Sequence, residues 1–442
     1  MTFDPDTYDN EAFLALAADT RAAQTVAERG LELRVAPSAG PVAAGWLQAV
    51  TRGFLEPERD EAEIAATLAL TAHRRRTGVY DPAAPVPDEP VATFASWIGE
   101  LAVPGGTGIP ACAISSVTVA PTHRRRGLLR AMMEGELRLA AARGVPIAAL
   151  TVSESAIYGR FGFAPAAAAA QWTLNTRRAT WIGPVPDGRV DFVPRERWRA
   201  VVEQVHERVR LRDAGELSMP GGHFERFAGT RLGVDKPGAK RAIQYTDAGG
   251  TVRGAAVYAV RENHDDFAAS TAHLHYLVAE TADAYAALWR FLVELDLVAT
   301  LHASELSADE PLLWMIADQR AARITVADHQ YVRILDLPAA LEARRYGAPG
   351  RLLLDVADPL GFTAGRWLLE VGEDGRARVT ATGDIPPDAV SVRLSVTELS
   401  AVFLGGVSPA TLADAGRVAA DEIAQVTRVF GWYRTPRLSY WY

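Results

Sequence analysis

One stretch, Ile114 to Pro165, limits what this chain can fold into more than any other. Its centre is Val117-Thr118-Val119-Ala120-Pro121-Thr122-His123-Arg124-Arg125-Arg126-Gly127-Leu128-Leu129-Arg130. The run opens with β-branched apolar residues, meets a strand stop at Pro121, and resumes as Leu128, Leu129, Met132, Met133 and Leu137 at helical spacing. The order is strand, basic turn, helix.

A turn that opens a helix leaves the first backbone N–H groups without partners, and the positive end of the helix dipole adds to them. Arg124, Arg125 and Arg126 supply charge, and Gly127 removes the side chain where a phosphate approaches the backbone. A pyrophosphate is the natural ligand. On spacing alone, a merely solvated charged turn is an equal reading.

Composition narrows the partners. The 442 residues are 49% hydrophobic and 23% charged, ordinary for a globular protein of two to four domains. Forty-six basic against 54 acidic side chains leave a formal charge of −8, which argues against nucleic acid as the main partner and favours a cationic small molecule such as an amine. The single cysteine, Cys112, excludes an internal disulfide, and no Cys/His set has structural zinc spacing, so neither disulfide nor metal is expected. The acidic start (Asp4, Asp6, Asp9, Glu11) does not read as a signal peptide and no apolar run is long enough to span a bilayer. A cytoplasmic protein with no membrane partner is the expectation.

The basic turn resembles the acyl-coenzyme A binding turn of the GNAT (GCN5-related) N-acetyltransferases, whose signature is Arg or Gln, two residues, Gly, one residue, then Gly or Ala. Arg124 and Gly127 fit, and Leu129 departs from the small residue at the end. The longer string, continued by Ala149-Leu150-Thr151-Val152-Ser153-Glu154 and Ile157-Tyr158-Gly159-Arg160-Phe161-Gly162-Phe163, resembles the actinobacterial Eis (enhanced intracellular survival) branch of that superfamily. The likeness runs along nearly the whole chain after the first thirty or so residues.

That resemblance implies an α/β (α+β) protein with two tandem GNAT-like domains, the second degenerate, followed by a sterol carrier protein-like α+β domain. The expected divisions are an N-terminal extension (1–30), either disordered or docking, a catalytic domain (31–171), a degenerate copy (172–327) and the sterol carrier-like domain (328–442). Val145 to Val152 reads as a buried strand; in GNAT folds the two central strands splay here to admit the pantetheine arm, with Val117, Thr118 and Val119 pairing along it. His275 to Glu280 with Ala282 to Leu295 reads as a worn repeat of that strand and helix. Asp283, Ala284 and Tyr285 replace the basic turn there, so one live site per chain is expected.

Acetyl transfer to an amine needs a held thioester, a base for the amine proton and an acid for the departing thiolate. Family resemblance puts Tyr158 beside the sulfur as the acid, and makes Val117, Thr118, Val119, Arg125, Arg126, Gly127, Leu128, Leu129, Arg130, Ser153 and Glu154 acetyl-coenzyme A binding residues. Ala113 to Val119 contains no carboxylate, although many GNAT enzymes keep a glutamate on that strand. The chain ends Arg437-Leu438-Ser439-Tyr440-Trp441-Tyr442, aromatic to the last residue, which reads as a buried terminus. In Eis proteins a terminal aromatic residue carries its α-carboxylate into the site as the base; here it is Tyr442, with Glu154 and Glu100 as fallbacks. A free α-carboxyl titrates near about 3.5 and is a weak base unless burial or a water relay assists it.

His123 reads as a neutral or solvated residue of the phosphate turn, and Trp46 and Phe54, with Glu56 and Glu58, fall where the family builds its acceptor pocket or else belong to the core. The leading expectation is an acetyl-coenzyme A-dependent N-acetyltransferase working by direct transfer on aminoglycoside-like multi-amines or lysine side chains, and the resemblance implies a homohexamer. The rivals are a noncatalytic lipid or sterol carrier using the third domain, and a regulatory coenzyme A binder without turnover.

Overall fold

The computed structural model describes residues 10–231, 238–384 and 386–442; the acidic start at Asp4, Asp6 and Asp9 lies outside them. Two compact units emerge: one joins the segment ending at Ala167 to His329–Pro436 and Tyr442, and the other comprises Ala168–Asp328 with Arg437–Trp441.

The first unit begins with two short helices, α1 (Asn10–Leu14) and α2 (Thr20–Ala27). The Asp19 carboxylate accepts the Ala22 N–H at 2.8 Å and starts α2, while Phe13, Ala22 and Val26 are buried in the main core of this unit. Of the two readings of residues 1–30, the described part therefore takes the docked one. There follow β1 (Glu32–Val35), α3 (Pro41–Gly53), α4 (Glu61–Leu70), β2 (Arg75–Tyr80), β3 (Ala92–Val103), β4 (Thr107–Val119), α5 (Leu128–Ala142), β5 (Ile147–Thr151) and β6 (Ala164–Asn175). A reciprocal cap between Asp60 and Glu63 opens α4. β1 to β4 pair antiparallel in chain order, and β5 joins β4 in parallel. The apolar face of α5 (Leu128, Met132, Met133, Leu137, Ala140) lies in one core with Cys112, Ile114, Ala148 and Leu150 of the sheet.

β6 begins Ala-Pro-Ala-Ala-Ala-Ala-Ala, a composition that favours helix, yet it is extended. Tertiary pairing overrides propensity here.

The second unit carries β7 (Arg189–Val193), α6 (Arg195–Arg210), α7 (Gly221–Ala228), β8 (Arg241–Thr246), β9 (Val252–Arg261), β10 (Ser270–Ala279), α8 (Ala282–Val293) and β11 (Val298–Leu306). β7 to β10 are antiparallel neighbours, β11 runs parallel to β10, and β6 pairs antiparallel with β11. The parallel pair ends at Leu274↔Ala303, although β10 continues to Ala279. Its following helix starts differently from α5: the Thr281 hydroxyl accepts the Ala284 N–H at 3.1 Å, so a side chain already occupies the α8 terminus. Within this unit Glu216 receives Arg437 Nε at 3.2 Å and the Ser439 N–H and hydroxyl at 3.2 and 3.0 Å, and the Tyr440 hydroxyl donates to the Ser218 carbonyl at 3.0 Å.

The chain then forms β12 (Ala322–Ile334), whose Gln330–Ile334 stretch pairs antiparallel with Thr151–Ile147. After α9 (Leu337–Ala343) come β13 (Gly350–Ala357), β14 (Gly365–Val371), β15 (Ala377–Ala381), β16 (Val390–Ser395), α10 (Val396–Val402), α11 (Pro409–Asp414), β17 (Ala419–Ala420) and α12 (Ile423–Phe430). The sheet order is β15-β14-β13-β16-β17, with β13 and β16 parallel, as an α+β module requires. Among the described residues no helix is long and apolar enough to cross a membrane, and no cluster of three His, Cys, Asp or Glu could hold a metal ion.

Candidate active site

β4 and β5 are hydrogen-bonded neighbours only from Ala111↔Ile147 to Ile114↔Leu150. β4 then continues to Val119 alongside β3 alone. Between Ala95↔Ser115 and Thr93↔Thr118 it carries one residue more than its partner, a bulge in which Ser116 adopts φ 52°. The Thr93 hydroxyl fixes this kink, bonding the Ser116 carbonyl and the Thr118 hydroxyl at 2.8 Å each. Gly53, the last residue of α3, lies so close that a Cβ there would overlap the Thr118 side chain. The kink turns β4 away from β5, and no described strand covers Ser115–Val119 on the β5 side.

The basic turn follows directly. Pro121–His123 is a single 3₁₀ turn, Arg125 and Gly127 take left-handed backbone angles (φ 63° and 72°), and no side chain caps α5. Arg124, Arg125 and Arg126 are exposed, and no ion pair within 4 Å engages them among the described residues. Leu128 is buried, Leu129 half-buried, and exposed Arg130 lies 3.8 Å from Glu134. An open strand edge, an uncapped 15-residue helix and a left-handed glycine at its start fit a phosphate-bearing pantetheine ligand. His123 is neither free nor simply solvated: its Nε2 lies 3.0 Å from Asp81 and its Nδ1 2.8 Å from the Thr122 hydroxyl.

Beyond β5, exposed Ser153 and Glu154 lead into two 3₁₀ turns, Ser155–Ile157 and Gly159–Phe161, with Tyr158 between them. The Tyr158 ring is buried, edge-on to Phe163 at 6.2 Å. Burial, and then the negative charge of Glu154, push its phenol up to about 12, so it is protonated at neutral pH and available as a donor. Buried Arg333 of β12 holds this loop from behind. Its Nε donates to the Phe161 carbonyl at 2.9 Å, and its Nη2 bonds both Asp358 oxygens at 2.8 Å. Asp358 is completed by the Leu360 N–H and by the N–H and hydroxyl of Thr363. Burial opposes the charge on Asp358, but Arg333 and these donors outweigh it and hold the carboxyl below its ordinary value.

Tyr442 comes to the same strand end. The Thr151 hydroxyl donates to its main-chain oxygen at 2.9 Å, and its ring stands edge-on to Trp97 at 5.3 Å. Trp97 packs against His73 at 5.3 Å and under the Arg74 guanidinium at 4.7 Å, whose Nη1 bonds the Ser115 hydroxyl at 3.1 Å. Gln330, the register partner of Thr151, stands by the Tyr442 phenol. Burial raises that phenol, and burial together with Arg74 and Arg76 drives His73 down to about 3, so both rings are neutral.

Tyr442 is thus attached to the last residue of β5, and Ser153, Glu154 and Tyr158 follow that residue in the chain, while Val117–Val119 and Arg125–Arg130 form the diverging edge and its turn. Glu100 does not join them: its register partner is Pro110, five residues and roughly 16 Å along β3 from Ala95. Trp46 is a core residue, 2% exposed and bonded through Nε1 to the Thr77 carbonyl at 2.8 Å, whereas Phe54, Glu56 and Glu58 are exposed. Cys112 is buried and its thiol is pushed up by burial, which removes it as a nucleophile. Sequence reasoning passed over Thr151, Trp97, Arg74, Gln330, Arg333 and Asp358, whose partners lie far away in the chain.

The bulged strand, the split from its parallel neighbour and the uncapped helix behind a left-handed glycine define a GNAT acetyltransferase domain. The acetyltransferase (GNAT) domain family matches residues 43–166, a second acetyltransferase (GNAT) family residues 221–334, and the sterol carrier protein domain family residues 337–439. An uncharacterized N-acetyltransferase of Streptomyces avermitilis is 37% identical over 396 residues, covering 88% of this chain and 92% of that protein. N-acetyltransferase Eis of Mycobacterium bovis is 36% identical over 330 residues, covering 72% and 76%. The crystal structure of Eis1 from Mycobacterium abscessus superposes with a TM-score of 0.75 at 26% identity, covering 90% of this chain and 96% of that one. A GCN5-related N-acetyltransferase from Anabaena variabilis shares the fold, with a TM-score of 0.79 at 17% identity over 93% and 100% of the two chains. The chain belongs to the Eis family of GNAT N-acetyltransferases, with two GNAT domains followed by a sterol carrier protein-like domain, and it is an enzyme of acetyl transfer.

Proposed function

We propose that this chain transfers the acetyl group of acetyl-coenzyme A directly to an amine of a multi-amino acceptor, an aminoglycoside-like compound or a lysine side chain. The observation that carries the reading is the meeting at the end of β5: Thr151 bonds the Tyr442 main-chain oxygen, and the loop leaving the same strand presents a buried, protonated Tyr158. Bound acetyl-coenzyme A supplies an activated acyl carbon. The backbone edge of Val117–Val119 holds its arm, and Arg125, Arg126 and the amides of Gly127 to Arg130 hold its phosphates, with Ser153 and Glu154 as further contacts.

The Tyr442 carboxylate accepts a proton from the attacking nitrogen, directly or through one water, as the N–C bond forms. The C–S bond breaks, and Tyr158 donates its phenolic proton to the departing sulfur. Exchange with water returns both groups to their starting states.

In this reading residues 31–171 are catalytic, 172–327 a copy without cofactor, and 328–442 a scaffold whose last residue completes the site. The self-capped α8 and Asp283 support the second assignment, since a used terminus and a carboxylate both disfavour phosphate. A cytoplasmic homohexamer is the assembly proposed. Thiol release from acetyl-coenzyme A in the presence of a panel of amines tests the function. Amine-dependent release supports transfer; coenzyme A binding without release leaves a regulatory binder; fatty-acid or sterol binding without either leaves a lipid carrier. Light scattering checks the hexamer.

A further inference from the structure

The N-terminal segment does more than cover the core, because its last residues stand at the basic turn. α2 is fixed on α5 in two ways, and the segment leading into it is held by β2. Ala22 packs against Gly135 so closely that a Cβ there would lie 2.8 Å from the Ala22 Cβ. Asp19 takes Arg138 Nη2 at 2.6 Å and Nε at 3.2 Å. Buried Arg75 donates to the Leu16 and Ala17 carbonyls at 3.0 and 2.9 Å. The helix then ends in a tight turn, with the Arg29 and Gly30 N–H groups bonded to the Val26 and Ala27 carbonyls and Gly30 at φ 73°. Arg29 is therefore held on an ordered platform between buried Val26 and Leu31.

From there its guanidinium reaches the turn. Arg29 Nη2 lies 3.4 Å from the position a Cβ would take at Gly127, and among the described residues no other atom outside the residues adjoining Gly127 stands within 4 Å of it. Nη1 donates to the Thr25 carbonyl of its own helix, and no carboxylate pairs with it among the described residues. Arg29 joins exposed Arg124, Arg125 and Arg126, and among the described residues none of the four has a counter-ion within 4 Å. Such a cluster costs repulsion until an anion enters it.

We infer that Arg29 is a cofactor-binding residue, a fourth cation at the basic turn that grips the pyrophosphate of acetyl-coenzyme A from the side of the N-terminal helices. The inference rests on the acetyl-coenzyme A reading above. It gives residues 10–30 a function that the basic turn's own sequence does not disclose.

The test is Arg29→Ala and Arg29→Lys in the full chain, assayed with acetyl-coenzyme A, acetyl-dephospho-coenzyme A and S-acetylpantetheine, the last lacking all phosphates. Arg29→Ala should raise KM for both phosphate-bearing donors and Kd for coenzyme A roughly five- to tenfold, with kcat within about twofold and S-acetylpantetheine unaffected. Arg29→Lys should recover part of the loss. Arg21→Ala, which removes the same charge from an exposed position of α2, should change nothing. The inference is overturned by an unchanged KM, by an equal rise with S-acetylpantetheine or in Arg21→Ala, or by loss of the effect with the dephospho donor. If the unaltered protein retains no coenzyme A, the cofactor reading itself falls, a result distinct from all of these.

Discussion

Thr151 and Tyr442, 291 positions apart, share a hydrogen bond of 2.9 Å from the threonine hydroxyl to the tyrosine main-chain oxygen. The last residue of the chain is thereby attached to the strand whose continuation carries Tyr158. The ring of the same tyrosine stands edge-on to Trp97 at 5.3 Å, so Tyr442 is held at both its ring and its main chain.

Removing Tyr442 should lower kcat roughly 100-fold or more, the scale of a lost general base, while coenzyme A affinity stays within about twofold. Thr151→Val should act in the same direction and less strongly, about tenfold, because it releases the carboxylate without deleting it. Steady-state kinetics beside calorimetric titration of coenzyme A check both, and normal turnover without Tyr442 would require a different base.

Tyr158→Phe keeps the buried ring and its edge contact with Phe163 but loses the only proton that side chain can give. A drop in kcat of roughly 100-fold with unchanged coenzyme A binding is expected. Because the phenol is pushed up to about 12, the rate profile around neutral pH should not report its ionisation.

Gly127→Glu should abolish detectable coenzyme A binding. It forces a side chain onto a left-handed backbone and sets a carboxylate where the phosphates belong. Cofactor binding by the unaltered protein should weaken as ionic strength rises, since the arginines of the turn are exposed. A circular dichroism spectrum of Gly127→Glu matching the unaltered protein separates lost binding from lost folding.

Asp358→Asn should destabilise the fold by about 3–5 kcal/mol, because it strands the buried Arg333 charge. The Asp358 carboxyl is held below its ordinary value of 3.8, so its contribution is present above that pH and is lost as pH falls through the lower folded value. The gap in thermal midpoint between Asp358→Asn and the unaltered protein should therefore be widest above about pH 5 and narrow towards pH 3. A constant gap would show that the ion pair does not carry the difference.

The elements of the site were legible in the sequence to different depths. Apolar periodicity marks β5, α5 and the second half of β4, though not the start of that strand at Thr107, and the glycine and arginines of the turn announce an anion. The aromatic run before Tyr442 signals burial, and Leu438, Tyr440 and Tyr442 are buried. Trp46 shows the limit: an aromatic on an amphipathic helix can face a pocket or a core, and its bond to the Thr77 carbonyl fixes it in the core. The alanine-rich start of β6 shows another, since alanine favours helix until a neighbouring strand takes up its amides.

What this sequence determined by itself is local: a strand that stops at Pro121, a turn that only Gly127 can make, a helix with one apolar stripe, and a terminus too apolar to remain in water. These follow from backbone sterics and the alternation of apolar residues over a few positions, so a short window contains the whole cause. Only the tertiary structure decided that Thr151 meets Tyr442, that Arg333 braces the loop of Tyr158 against Asp358, and that Arg29 reaches Gly127. Each of those pairings is fixed by strand register and desolvation summed over many distant contacts, and no short stretch of residues encodes such a sum.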